Sequence, residues 1–311
     1  MHSSGATAAS AWRAIPQSSS RSPLSKPYPS PILVQVDKRK KLAEVDLRLA
    51  RAFGTPPRRP EGDPLDLLIG TILSQNTSDL NRDRAYAELR KHFPRWEDVL
   101  AAPVEEIARA IRGAGLHRQR AARIKAVLER LAEERGELSL EFLSRLPKEE
   151  AERWLLSLPG VGRKTAYVVL LFGFGWPFFP VDTHILRVSR RLGLLEGGEE
   201  PHRALAPLVP PGREAELHLN LIRLGREVCR ARRPRCQACP LPDLCGYVLS
   251  KLDPALRARL SDGGSQAVLV RCTDGRVEAV QGDREKLLAL TADPGVRYLE
   301  PSRKLSPKEA R

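Results

Sequence analysis

Leu158-Pro159-Gly160-Val161-Gly162-Arg163-Lys164-Thr165-Ala166 is the stretch that decides the fold of this chain. It joins two segments whose apolar residues recur at helical spacing. Pro159 stops the first, and Gly160 and Gly162 permit a tight turn with a bare backbone before the second begins. The amides of Gly160, Val161 and Gly162, with the positive end of the following helix, form a ready site for one phosphate. A short Gly-x-Gly alone is equally an ordinary corner between two helices. Lys164 shifts the balance, because it falls in the first helical turn, where the helix dipole disfavours an ammonium. A lysine so placed more readily exists as the free amine that an imine-forming nucleophile requires.

Outward from this corner the chain reads as helix after helix. Val181-Asp182-Thr183-His184-Ile185 opens a helix that keeps Ile185, Val188 and Leu192 on one face. A lone aspartate there is an N-cap. In partnership with Lys164 it becomes a candidate catalytic carboxylate. Asp63-Pro64 supplies an N-cap and a proline at the first helical position, followed by Leu65, Leu68, Ile69, Ile72 and Leu73. Leu67 widens that apolar face, which predicts a helix buried nearly all round. A further amphipathic helix holds Ile124, Val127, Leu128 and Leu131. No stretch between residues 37 and 250 alternates with period two for long, so this part is all-α. Beyond it, Ala267–Val270, a turn at Asp274-Gly275, Val277–Val280, a short helix over Glu285–Leu290 and a strand over Val296–Leu299 predict a small ββαβ appendage, 264–302.

At 311 residues the chain has room for one large domain or two ordinary ones. With 41% hydrophobic and 29% charged residues it has the composition of a globular protein, which excludes wholesale disorder. The formal net charge of +14 favours a polyanionic partner. Residues 1–36 are rich in serine and proline and hold no acidic residue, the composition of a disordered basic tail. That tail carries only Arg13, Arg21 and Lys26 as side-chain cations, so most of the excess charge belongs to the folded middle. The run Val168–Phe179 is interrupted by Gly173, Gly175 and Pro177 and is too short to span a bilayer, so no membrane partner is expected. The first residues lack the apolar core of a signal peptide.

Four of the five cysteines, Cys229, Cys236, Cys239 and Cys245, crowd into the pattern C-x6-C-x2-C-x5-C. One short segment can wrap a four-thiolate site at these separations, as expected in a reducing compartment. A structural zinc site usually shows two C-x2-C knuckles and this pattern has one, so spacing leaves zinc and a [4Fe–4S] cluster equally open. Arg230, Arg232, Arg233 and Arg235 lie between the first two cysteines, where a stiffened loop would present cations to a phosphate backbone.

Together these residues carry a resemblance. Leu158–Ile185, the four cysteines, Leu73-Ser74-Gln75-Asn76-Thr77, Gly115-Leu116 and His218–Cys229 look like the endonuclease III branch of the helix-hairpin-helix DNA glycosylases. The similarity extends over residues 40–250. It implies a two-domain all-α fold, with a six-helix domain over 56–176 and an iron–sulfur domain over 37–55 and 177–250. Double-stranded DNA would cross the cleft between them. It further implies that Lys164 attacks C1′ of a damaged nucleoside, that Asp182 assists, and that the four cysteines bind a [4Fe–4S] cluster. Gln75 matches the residue that fills the gap left by a flipped base, and Leu116 a wedge on the opposite strand. Their bland counterparts are a capping glutamine and a core leucine. Gly160, Val161, Gly162, His184 and Arg232 are the other implied DNA contacts.

Ser78 departs from the family pattern, since several members carry an aspartate there. The adenine glycosylase branch has a catalytic glutamate four residues before the glutamine, where this chain has Thr71, and it lacks the lysine. The thymine-mismatch branch typically has tyrosine at the lysine position. A non-catalytic DNA-binding module or a redox protein would need neither Lys164 nor Asp182. The expectation is a bifunctional DNA glycosylase and AP lyase that removes oxidised pyrimidines, as a cytoplasmic monomer at a bacterial or archaeal nucleoid.

Overall fold

In the computed structural model, residues 37–56, 62–253, 256 and 266–301 are described. The Ser/Pro-rich stretch 1–36 lies outside them, as do the first two residues and the last of the expected appendage.

Helix α1 spans Lys38–Phe53, α2 Pro64–Ser74, α3 Asp79–His92, α4 Trp96–Ala101 and α5 Val104–Ala110. Then come α6 (His117–Arg135), α7 (Lys148–Ser157) and α8 (Arg163–Phe174). The helical part closes with α9 (Thr183–Leu192), α10 (Pro201–Leu205), α11 (Glu214–Glu227) and α12 (Gly246–Leu249). Among the described residues up to 253 there is no strand.

A first apolar core is built by α2 to α8 around the pair α2 and α8. Asp63 caps α2 by accepting the Leu65 N–H at 2.6 Å, with Pro64 at the first helical position. Leu65, Leu68, Ile69, Ile72 and Leu73 are fully buried, whereas Leu67 stays partly open. Every residue of α8 from Thr165 to Leu171 is buried, so this helix is surrounded by other elements. Truncating a fully buried leucine such as Leu170 to alanine would cost about 2–5 kcal/mol. Gly175 ends α8 in the left-handed region, donating its N–H to the last turn.

A second core joins α1 to α9, α10, α11 and α12. Among the described residues the chain therefore enters this core first through α1, leaves to build the other, and returns. Asp46 of α1 is buried and pairs with Arg213 at 2.8 Å, and Asn220 Nδ2 donates to the Gly54 carbonyl at 3.2 Å. These contacts pin α1 to α11. No described helix is long and apolar enough to cross a membrane.

The appendage has the expected order of elements. Strands β1 (Gln266–Cys272), β2 (Val277–Gly282) and β3 (Val296–Pro301) form an antiparallel sheet in the order β2-β1-β3. Helix α13 (Arg284–Ala292) packs on it and runs slightly beyond the expected ends, because Asp283 caps it by accepting the Lys286 N–H. Leu252 and Leu299 form a bridge that joins the appendage to the residues following α12.

Candidate functional site

The hairpin between α7 and α8 is built as its glycines require. Gly160 sits at φ +77°, a conformation that strains any side chain, and a Cβ there would lie 2.4 Å from Cδ of Arg123. Gly162 caps α8 without any side-chain acceptor, and the first turn of α8 holds no acidic residue. Lys164 is the second residue of that helix and is half-buried. Arg163, before it, lies between Glu152 of α7 at 3.7 Å and Glu200, the cap of α10, at 3.4 Å. Burial would raise the Glu200 carboxyl, but hydrogen bonds from the Arg203 N–H and from His202 outweigh it and hold Glu200 down at about 2. The hairpin is thus tied by charge to both helical cores.

Gln75 and Leu116 flank the same region. Gln75 ends α2 as its C-cap, and its side chain also reaches the hairpin: Nε2 donates to the Gly160 carbonyl at 3.1 Å. Arg123 of α6 donates to Gln75 Oε1 at 2.9 Å. Leu116 is no core leucine. It is 59% exposed and adopts φ +44°, ψ +30°, immediately before α6. A left-handed leucine costs roughly 1–2 kcal/mol, on top of the cost of an apolar side chain held in water. Among the described residues, positive φ at a non-glycine occurs at Asn76, Leu116 and Arg233. Each lies on, or beside, a residue expected to touch DNA, which is where stored strain is informative. Arg120 of α6 is 1% exposed and donates to the carbonyls of Ala114, Gly115 and Gln75, the Gly115 bond measuring 2.7 Å.

Asp182 caps α9, its Oδ1 accepting the Ile185 N–H at 2.8 Å. The connection leading to it is fixed from α11, where the buried His218 donates Nδ1–H to the Pro180 carbonyl at 2.9 Å. His218 also meets the edges of Phe172 and Phe179. His184 packs against Gly225 of α11, where a Cβ would come within 2.8 Å of the His184 Cβ. Its Nδ1 accepts from Arg187 Nη2 at 3.1 Å, which leaves the proton of a neutral ring on Nε2.

The four cysteines converge at the edge of the second core, Cys245 buried and the others half-buried. Burial pushes the Cys239 thiol up to about 12, and the nearby sulfurs of Cys245, Cys229 and Cys236 push the same way. Burial and neighbouring sulfurs likewise raise Cys236 and Cys245. Among the described residues no three His, Cys, Asp or Glu side chains are grouped to hold a metal ion. The loop after Cys229 is held from α9. Arg187 donates to the Cys229 carbonyl at 3.0 Å, and Arg191 to the Cys229 sulfur at 3.3 Å and the Arg230 carbonyl at 2.7 Å. Arg230, Arg232, Arg233 and Arg235 are exposed.

Arg120, Arg123, Arg187 and Arg191 were not among the residues singled out from the sequence. A signal existed for Arg120, which falls in step with Ile124, Val127, Leu128 and Leu131 on the buried stripe of α6. A charge in such a stripe must be paired or hydrogen-bonded.

A family model, HhH-GPD superfamily base excision DNA repair protein, matches residues 69–211. An endonuclease III of Thermotoga maritima is 36% identical over 194 residues, covering 62% of this chain and 87% of that protein. A solved structure of a trapped covalent intermediate between endonuclease III and DNA is similar with TM-score 0.58 and 30% identity, over 67% of this chain and 96% of that one. The structure of a thermostable thymine-DNA glycosylase is similar with TM-score 0.57 and 28% identity, over 68% of this chain and 96% of that one.

Proposed function

This chain belongs to the endonuclease III family and is a base-excision DNA glycosylase, and from that premise we propose that it is bifunctional. It removes oxidised pyrimidines from duplex DNA and then cleaves the strand as an AP lyase, acting as a monomer in the cytoplasm. The observation that carries this reading is Lys164, half-buried at the second position of α8 directly after the bare-backboned hairpin. Thr71, buried with its hydroxyl donated to the Leu67 carbonyl at 2.7 Å, offers no carboxylate of the kind the adenine branch uses. Lysine in place of tyrosine argues against the thymine-mismatch branch.

The Val161 N–H is spent within the turn on the Leu158 carbonyl at 3.2 Å, so the amides of Gly160 and Gly162 and the open N-terminus of α8 anchor a phosphate, and His184 and Arg232 bind the backbone beside it. The damaged nucleotide is extruded, at a cost of about a few kcal/mol that is least for a weakened pair. The Lys164 Nζ lone pair attacks C1′ as the glycosidic bond breaks, and the bond pair departs with the base, which is protonated. The Asp182 carboxylate stabilises positive charge developing on the sugar. The Lys164 nitrogen then loses a proton and its lone pair closes a C=N bond as the C1′–O4′ bond breaks, O4′ taking up a proton as the sugar ring opens. The Schiff base so formed acidifies the neighbouring C2′–H; loss of that proton to water expels the 3′ phosphate and breaks the strand. Duplexes carrying single defined lesions test this reading. Cleavage is expected on oxidised pyrimidines and on abasic sites. Excision confined to mispaired adenine or thymine, with no strand break, would overturn it.

Cys229, Cys236, Cys239 and Cys245 would hold a [4Fe–4S] cluster. The sulfurs of Cys229, Cys236, Cys239 and Cys245, one buried and three half-buried, lie near enough to act on one another electrostatically, and a cluster with four thiolates, being net negative, suits the neighbouring Arg191, Lys41 and Lys251. When bound it supplies a rigid clamp on the loop between Cys229 and Cys236. The purified protein is expected to be brown, with a broad visible absorbance and stoichiometric iron and acid-labile sulfide. Alanine at any of the four should lose iron together with solubility or DNA affinity. A colourless, fully active protein with stoichiometric zinc would contradict this assignment.

DNA affinity should fall steeply with salt. If about five phosphates are neutralised, the logarithmic slope should lie near −4 to −5. Charge reversal at Arg230 and Arg232, both exposed, should flatten it. An unchanged slope would show that the loop faces solvent only.

A further inference from the structure

We propose that Arg120 is the positioning residue that holds the two DNA-penetrating loops at a fixed spacing, so that Gln75 and Leu116 enter the duplex as one unit. The inference rests on the reading of these two residues as gap-filler and wedge. It goes beyond that reading in naming what aims them.

The geometry is specific. Arg120 lies on the core-facing stripe of α6 and is 1% exposed, so its charge is withdrawn from water. Nη1 donates to the carbonyls of Ala114 and Gly115, the two residues preceding Leu116. Nη2 donates to the carbonyl of Gln75 itself, the residue preceding the left-handed Asn76. One planar guanidinium therefore fixes the main chain on both sides of the intended gap. A buried charge satisfied only by loop carbonyls makes those carbonyls interdependent: if either loop moves away, the cation loses acceptors it cannot replace from water. The strained φ at Leu116 and Asn76 persists only where the surroundings over-determine it, and Arg120 supplies that restraint for both.

Arg123, three residues on, does something different. It binds the Gln75 side chain, which must leave both Arg123 and the Gly160 carbonyl to enter DNA. The Arg120 bonds involve only main-chain oxygens and are retained while the side chain swings. Lysine cannot substitute at position 120, because a compact ammonium lacks the rigid fork that spans the two loops.

The test compares Arg120→Lys with the native protein on two duplexes, one with an oxidised pyrimidine and one with a preformed abasic site. A 2-aminopurine beside the lesion reports unstacking. Because an abasic site has no base to extrude, Arg120→Lys should slow excision about 10- to 100-fold while abasic cleavage stays within about twofold. The unstacking signal should fall in parallel, and combining Arg120→Lys with Gln75→Ala should add little further loss. Hydrogen exchange should quicken at residues 74–77 and 114–117 together. Arg120→Gln, which keeps donors at one end only, guards against a misfolded variant and should show the same split. Equal losses on both duplexes, or none on either, would overturn the positioning role while leaving the wedge reading intact. If Gln75→Ala and Leu116→Ala themselves lose both activities equally, the wedge reading fails and the positioning role falls with it.

Discussion

Borohydride added to the native protein and a duplex with one oxidised pyrimidine is expected to trap a covalent protein–DNA adduct, and Lys164→Ala to trap none. The attack requires a neutral amine delivered to C1′ from a fixed point. Lys164 is such a point, half-buried and set on a helix whose next seven residues are all buried. The hairpin before it is held through Arg163 by Glu152 and Glu200. Removing the amine removes the nucleophile but leaves the phosphate-binding amides and the arginine loop. Lys164→Ala should therefore still bind DNA, while excision falls by on the order of 10⁴-fold or more. A full yield of adduct from Lys164→Ala would assign the nucleophile elsewhere. A native protein that excises bases yet never traps would place the chain with the monofunctional members of its superfamily.

What could be read from the sequence was what is local along the chain. The hairpin, the cap at Asp63, the lysine one residue inside α8, the cap at Asp182 and the clustered cysteines each occupy a few consecutive positions. Their physics is that of a turn, a helix end or a short ligand loop. The appendage was legible for the same reason, since a hairpin and a short helix declare themselves by alternation and turn residues. The arginines that hold these pieces in place were not legible, because their partners are remote. Arg120 reaches 45 residues back to Gln75, Arg123 48, and Arg187 and Arg191 38–42 forward to Gly225 and the loop after Cys229. On their helices they look like any exposed cation, Arg120 excepted. Leu116 shows the reverse case. Its residue type alone reads equally as core, the wedge reading came from the resemblance, and the backbone shows an exposed leucine held in the left-handed region.

Asp182→Asn is expected to fold normally, bind DNA, and lose most excision, by on the order of 100-fold or more. The substitution separates two roles that one carboxylate fills. As the cap of α9, Asp182 accepts the Ile185 N–H through one oxygen, a task an asparagine carbonyl performs about equally well. Thermal stability should therefore change little. As a charge, the carboxylate stabilises the cationic sugar that forms when the base departs, which a neutral amide does much less well. Asp182→Ala removes both the cap and the charge. It should match Asp182→Asn in lost excision and lose in addition about 1 kcal/mol of stability. DNA affinity should hold or rise in both variants, because an anion has been taken from a phosphate-binding surface. The discriminating outcome is an Asp182→Asn protein that excises within about twofold of native: its carboxylate would then serve α9 as a cap alone, and the stabilisation of the cationic sugar would have to come from another group.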